Sequence, residues 1–247
     1  RVPKNQVGVT NLMNVLWEVG ALVFVGMLNC TASFPAERDV FHRERADGRY
    51  STLSFFSAYC TLELPFGYLC SLFFTVILTF AVGLQPHPNP IFLMSLATFF
   101  IVSFGESVGI LYCAVFRHVG FALSLISINL GLFQITAGFL SVNLRPTIDA
   151  VLNVNPLRFA ATVLVNAEMQ PMRFSCDEPV FPECLETGDD VMEFYHFKHT
   201  MKESFLVLAG LGVAYRVIAF LALTYLPRLQ GDLHAEWTPT EPVYRTR

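Results

Sequence analysis

Five long apolar runs, about Asn11–Ser33, Glu63–Gly83, Pro90–Val115, Gly120–Val142 and Ser204–Leu226, alternate with polar stretches along the chain. Between Thr52 and Phe116 only Glu63 and Glu106 are charged; Val119 to Leu144 carries no charge, and Ser204 to Pro227 carries only Arg216. A helix needs about 20 mostly apolar residues to cross a bilayer, because lipid cannot satisfy an exposed backbone. Each run is long enough, so the pattern predicts an all-α, polytopic membrane protein. Buried helices of a soluble protein are the alternative, but those are usually shorter and amphipathic. Composition points the same way: 53% of residues are hydrophobic and 15% charged, against about 25% charged in soluble domains.

The polar stretches predict the topology. FPAERDVFHRERADGRYS, Phe34–Ser51, packs Arg38, Arg43, Arg45 and Arg49 among Glu37, Asp39, Glu44 and Asp47. Arginine and lysine favour the cytoplasmic side of short loops. Counting them places residues 34–51 inside, Leu84–Asn89 outside, the turn at Arg117 inside, 143–202 outside and the tail, 228–247, inside. The expected organisation is an external segment and first crossing (1–33), a cytosolic charged segment (34–51), three further crossings (52–142), an external loop (143–202), a last crossing (203–227) and a cytosolic tail. The chain starts at Arg1 without a signal peptide, and an odd number of crossings leaves the expectation of a further helix upstream.

Cysteines fit this arrangement. Cys30, Cys60, Cys70 and Cys113 lie in or near apolar runs, where a thiol acts as a small hydrophobe. Cys176 and Cys184 lie in the external loop; a disulfide is the favoured reading and zinc the rival, with poor ligand spacing. The pair HFKH (His196, His199) also lacks the spacing of a helical metal site, and no metal is expected. The sequon Asn29-Cys30-Thr31 falls at the cytosolic end of a crossing and reads as a chance match.

Charges inside a bilayer are costly and face a cavity or each other. Glu106 and Arg216 lie near the middle of their runs, Glu18 midway along the first, and Glu63 near the inner interface before Pro65. Two readings stay open: a proton or ion path, or a structural bridge from an acid to Arg216. Glu18, Leu22, Val25 and Asn29 share a helical face, as do Ser127, Gly131 and Gln134. Such stripes suit a substrate cavity or a helix seam. Gly105 and Gly109 form a GxxxG, which allows close helix approach. There is no phosphate-binding GxxxxGK[ST], no GxSxG and no HExxH, so no catalytic residue is assigned. The net charge of −4 says nothing useful about nucleic acid, but no basic stripe exists to bind it, and no nucleic-acid partner is expected.

Taken in order, NQVG (Asn5–Gly8), PAERDVFHRERADGRYS, LELP (Leu62–Pro65), FGESVGI (Phe104–Ile110), AGFLSVNL (Ala137–Leu144), NPLRFA (Asn155–Ala160) and AYRVIAFLAL (Ala214–Leu223) resemble the membrane domain of G-subfamily (White-type) ABC transporters, an ABC-2 type fold, fungal-like in character. The resemblance covers nearly the whole chain and implies helices two to six of a six-helix half. It makes the charged segment a coupling helix that docks on a nucleotide-binding domain, with Arg38, Arg43, Glu44 and Arg45 as its contacts. It implies a central cavity lined by Glu18, Leu22, Val25, Ser127, Gly131 and Gln134, with Phe139 and Leu140 as an apolar gate and re-entrant helices in the external loop. Glu18 departs from the apolar lining of the family.

The function so implied is ATP-driven export of lipid, sterol or hydrophobic drug-like substrates by alternating access. ATP and Mg²⁺ then belong to a nucleotide-binding domain outside this chain. The partners are that domain, a second membrane half and the lipid of a plasma or internal membrane. A secondary transporter or channel using Glu106 and Arg216 is the first alternative, and a non-transporting assembly partner the second.

Overall fold

In the computed structural model, residues 3–116, 118–137, 155–170, 172–176, 181, 184–197 and 199–235 are described. Among them the chain forms α1 (Gln6–Ala21), α2 (Val23–Ala46), α3 (Thr52–Val82), α4 (Pro88–Val115), α5 (Val119–Ile135), α6 (Pro156–Met169), α7 (Gly188–Phe194) and α8 (Met201–Ala235). Two isolated bridges are the only extended pairing in the described residues.

Only Leu22 separates α1 from α2, so residues 6–46 form a nearly unbroken rod of 41 residues. At 1.5 Å per residue it is about 60 Å long, twice the hydrocarbon thickness of a bilayer. The charged segment is therefore the continuation of the first crossing helix rather than a separate loop. Its last 13 residues, 34–46, extend the rod by about 20 Å. Asn5 starts it by accepting a hydrogen bond from the Gly8 N–H at 2.9 Å, and the turn after Ala46 uses Gly48 at φ 73°. Ser51 caps α3, accepting from Ser54 N–H at 3.2 Å.

Among the described residues, four helices are long and apolar enough to cross a membrane: residues 6–46, α3, α4 and Met201–Tyr225 of α8. The fifth predicted run is helical over α5, 17 residues and shorter than a crossing, with residues 138–154 outside the described part. Helix α3 has the inverted polarity that lipid demands. Ser71, Thr75 and Thr79, four residues apart, are buried, and Thr75 and Thr79 donate to the Ser71 and Thr75 carbonyls one turn back, whereas Phe73, Ile77 and Phe80 face outward. Thr79 is 1% exposed and Phe80 70%; in water this pattern would be reversed.

Helix α4 is the centre, packed against α2, α3, α6 and α8. Three glycines let α2 reach it. A methyl on Gly26 would run into the Val102 carbonyl, one on Gly105 into the Val23 carbonyl, and one on Gly109 would meet Cys30 and the Met27 carbonyl. The GxxxG of α4 thus seats directly on the α2 backbone. Around this seam sit Val23, Met27, Ile101, Phe104 and Val108, all buried. Helix α6 is buried along its length apart from Asn166, held by α1, α4, α7 and α8. At 14 residues it is about 21 Å long and too short to cross.

Adding one methyl at Gly26 or Gly105 is expected to lower stability by about 1–3 kcal/mol through overpacking. Gly131→Ala, where a methyl meets open space, is expected to leave the melting temperature unchanged. Thermal unfolding of the three purified variants in one detergent checks the contrast.

Candidate functional site

The charged groups of the apolar runs divide in two. Ser103, Glu106 and Ser107 stand on one face of α4 and meet Arg216 of α8. Arg216 Nη2 donates to Ser103 Oγ at 2.9 Å and lies 3.4 Å from Glu106 Oε2, while Nε donates to Ser107 Oγ at 3.2 Å. Both charged side chains are largely buried, and the two serines fill donor positions that the carboxylate leaves over. Glu18 does not join them, being exposed on α1. Glu63 does not pair with Arg216 either; its Oε2 is buried without a hydrogen-bond partner. Of the two readings of Arg216, the geometry displays the bridge between helices.

Beside this bridge, α2, α3 and α4 enclose a hollow of about 420 Å³, half open to the outside. Leu22 and Val25 line it as a cavity stripe would, together with Asn29, Glu63, Ser71 and Glu106. Ser127, Gly131 and Gln134 do not. Ser127 and Gly131 are exposed on α5, and Gln134 is half-buried with an unpartnered Oε1. Among the described residues the α2 stripe thus meets α4, with α3 behind it, through the glycine seam, and the α5 stripe stands apart from this hollow. The missing wall had a signal in the sequence. Glu63, Gly67, Cys70 and Phe74 repeat at 4-3-4 spacing on α3, as Thr98, Val102 and Glu106 do at steps of four on α4. Phe139 and Leu140 lie outside the described residues.

The charged end of the rod is fastened rather than free. Arg38 is buried, 7% exposed, and its Nη1 donates to the carbonyls of Cys113 and of Phe116 (3.3 Å for the latter). It thereby satisfies carbonyls that the end of α4 leaves open and places a cation at the negative pole of that helix. Asp39 balances it at 2.9 Å. Of the four residues expected at the coupling surface, Arg38 is thus the one turned inward against the end of α4. Its place on the buried stripe Met27, Thr31, Phe34, Arg38, Phe41 was legible as helical periodicity. Arg43 is exposed, Glu44 accepts a hydrogen bond from the Tyr50 hydroxyl, and Arg45 lies 5.9 Å from the Phe41 ring centroid. Phe41, Tyr50 and Phe55 stack, with the Phe41 and Phe55 centroids 4.6 Å apart. This fixes the hairpin between α2 and α3.

At the opposite end, Gln6 Nε2 donates to the Leu185 carbonyl at 2.9 Å, next to the Cys176–Cys184 disulfide, whose Cα atoms are 5.8 Å apart. Glu186 is near both sulfurs, but sulfurs bonded to each other offer no thiolate to zinc. Asn155 pins α6 to the end of α5, donating to the Phe133 carbonyl and to Thr136 Oγ1, both at 2.8 Å. Glu168, fully buried in the last turn of α6, accepts from the Gln85 N–H at 2.9 Å, and its carbonyl accepts from the Gln85 side chain at 2.7 Å. Pattern reading missed Gln6, Asn155 and Glu168, because a lone polar residue in a loop or at a helix end carries no periodicity.

The ABC-2 type transporter family profile matches residues 2–169. The chain belongs to this family. It is similar to an uncharacterized ABC transporter ATP-binding protein/permease of Saccharomyces cerevisiae, 29% identical over 227 residues, which cover 90% of this chain and 18% of the relative. It is also similar to ABC transporter G family member 2 of Dictyostelium discoideum, 24% identical over 252 residues (92% of this chain, 19% of the relative). ABC transporter G family member 21 of Arabidopsis thaliana is 23% identical over 231 residues, 90% of this chain and 32% of that protein. The chain thus spans a fifth to a third of the length of these relatives. It is an ABC-2 type membrane domain, nearly all-helical among the described residues and integral to the membrane by several passes, as its pattern predicts.

Two consequences follow for this membrane domain. Arg216→Leu alone leaves the Glu106 carboxylate without its cation and is expected to cost about 3–5 kcal/mol, whereas Glu106→Leu/Arg216→Leu recovers most of the loss; thermal unfolding of both variants measures the difference. Burial lifts the Glu168 carboxyl above the usual carboxylate range, against the lowering effect of the Gln85 N–H. Its folded value thus exceeds its unfolded one, so its contribution to stability is complete below the unfolded value and is lost as pH rises through the folded one. Glu168→Gln is expected to flatten that fall in a pH series of melting temperatures.

Proposed function

We propose that this ABC-2 domain is the membrane half of an ATP-driven exporter of lipids, sterols or hydrophobic drug-like molecules. The observation that carries the reading is the continuous rod of residues 6–46. One end of it ties to the disulfide segment through Gln6, and the other ends in a charged, aromatic-braced hairpin clamped to α4 by Arg38. A force on the hairpin is carried along a rigid element to the crossing helices. The hairpin, taken as cytosolic from its arginines, offers Arg43 and Arg45 beside Glu44 to a nucleotide-binding domain, where mixed charge sets register more than affinity.

ATP and Mg²⁺ would be held by that domain, since the chain has no phosphate-binding loop; hydrolysis there supplies the work. The relatives named as ABC transporters, one of them an ATP-binding protein/permease, support such a partner. Glu18, Ser127 and Gly131, with Ile128, Leu132 and Ile135, leave α1 and α5 an outward surface suited to a second half, so that the central cargo path forms between two copies or two homologous halves. Closure of the nucleotide domains then alternates access to that path.

Charge reversal of Arg43 and Glu44 in the full-length transporter, reconstituted in liposomes, is expected to leave more than half of the ATPase rate. The same variant is expected to reduce ATP-dependent extrusion of a membrane-soluble rhodamine dye at least tenfold. Retained extrusion would remove the hairpin from the coupling path, and dye movement driven by an ion gradient without ATP would favour a secondary transporter.

A further inference from the structure

The hollow between α2, α3 and α4 lies within one half of the transporter and is walled by three of its helices. Two carboxylates, Glu63 and Glu106, reach it, and no lysine or arginine is among its lining residues. Arg216 approaches from outside the hollow and is held by Glu106 and two serines. One negative charge in the wall is left over. It sits on Glu63, whose Oε2 is buried without a hydrogen bond of normal geometry, the Tyr59 hydroxyl one turn away being the polar group that interacts with this carboxyl. An acceptor so placed costs free energy unless a donor reaches it, and an ionisable residue at membrane depth marks a functional site.

A second hollow of about 420 Å³, between α2 and α3, shares Glu63 and Phe66 with the first and has Glu37 in its wall. Taken together as one trough, the two neighbouring hollows present three acids, Glu37, Glu63 and Glu106, between apolar walls. Phe66 and Phe74 stand at its side, 68% and 36% exposed, on the outward face of α3. An inorganic ion fits this setting poorly: among the described residues only Cys176, Cys184 and Glu186 gather as three metal-ligating groups, at the far end of the molecule. An organic cation fits it well, since aromatic faces attract ammonium groups and a few polar groups in an apolar pocket orient a ligand.

We propose that this trough binds a monocationic amphiphile. Its ammonium lies between Glu63 and Glu106, within reach of Asn29 and Ser71, and its hydrocarbon tail leaves between α2 and α3 toward lipid. The site is lateral, within one half, and separate from the cargo path between halves; its occupancy does not require ATP.

The full-length transporter is embedded in phosphatidylcholine nanodiscs without nucleotide and photolabelled with a diazirine-bearing dodecylamine; the modified peptides are mapped by mass spectrometry. Labelling of residues 63–74 is expected to saturate, and to be displaced at least tenfold more readily by dodecylamine than by the uncharged N-dodecylacetamide. Glu63→Gln is expected to lower the saturable labelling at least fivefold while leaving labelling by a second probe, the N-acetylated form of the same diazirine-bearing amine, unchanged. Val25→Trp, which narrows the mouth and keeps both acids, is expected to lower labelling by both probes and serves if the Gln variant does not fold. Equal displacement by amine and amide, unchanged labelling of Glu63→Gln, or no saturable labelling of this segment would each overturn the proposal. The last outcome includes coverage of the trough by another helix of the full-length protein. Because no nucleotide is present, loss of coupling in the hairpin variants leaves this result untouched.

Discussion

The contact of α2 with α4 at Gly26, Gly105 and Gly109 is the constraint on which the remaining geometry rests. Lipid gives helices no hydrophobic reason to associate, so van der Waals contact between close backbones must hold them. Three missing methyl groups permit that contact. Once α4 is seated on α2, the Ser103, Glu106 and Ser107 face is turned to Arg216 of α8. The end of α4 comes within reach of Arg38, and α3 closes the third wall of the hollow. A side chain at any of the three glycines would shift all of these together.

Polar groups are placed economically around this seam. Serines and threonines of α3 and α4 turn their hydroxyls back to their own helix carbonyls, so they can be buried at little cost in a medium without water. The arginines are engaged according to depth. Arg216 is neutralised by an acid and two hydroxyls; Arg38, nearer the end, completes a helix terminus; Arg43 is left on the surface. Glu63 is the departure from this order, a carboxylate with a buried oxygen and no matching cation. Among the charged groups around the Arg216 bridge, this carboxylate is the one without a matching cation, and a ligand cation would supply it.

Rigidity runs from end to end. The rod of residues 6–46 is tied at its start to the disulfide segment by Gln6 and at its finish to α4 by Arg38 and to α3 by stacked rings. Pro35 interrupts the hydrogen-bond ladder where the apolar part gives way to the charged part. A long element with fixed ends and one weakened turn is suited to transmit movement between a soluble domain and the crossing helices.

Much of this was legible in the sequence. The all-helical class, four of the crossings and the close approach at the GxxxG follow from periodicity and from the near absence of charge, because a bilayer penalises an unpaired polar group wherever the chain folds. The partner of Arg216 was narrowed to an acid for the same reason. Which stripe faces which was not legible. Leu22 and Val25 share a face with Glu18 on a helical wheel, yet the first two line a hollow and the third is exposed. Arg38 and Arg43 belong to one charged run, yet one is a buried cap and the other a surface group. Local spacing sets the faces of a helix, and only the three-dimensional approach of α4, decided by steric fit at three glycines, selects which of those faces is covered.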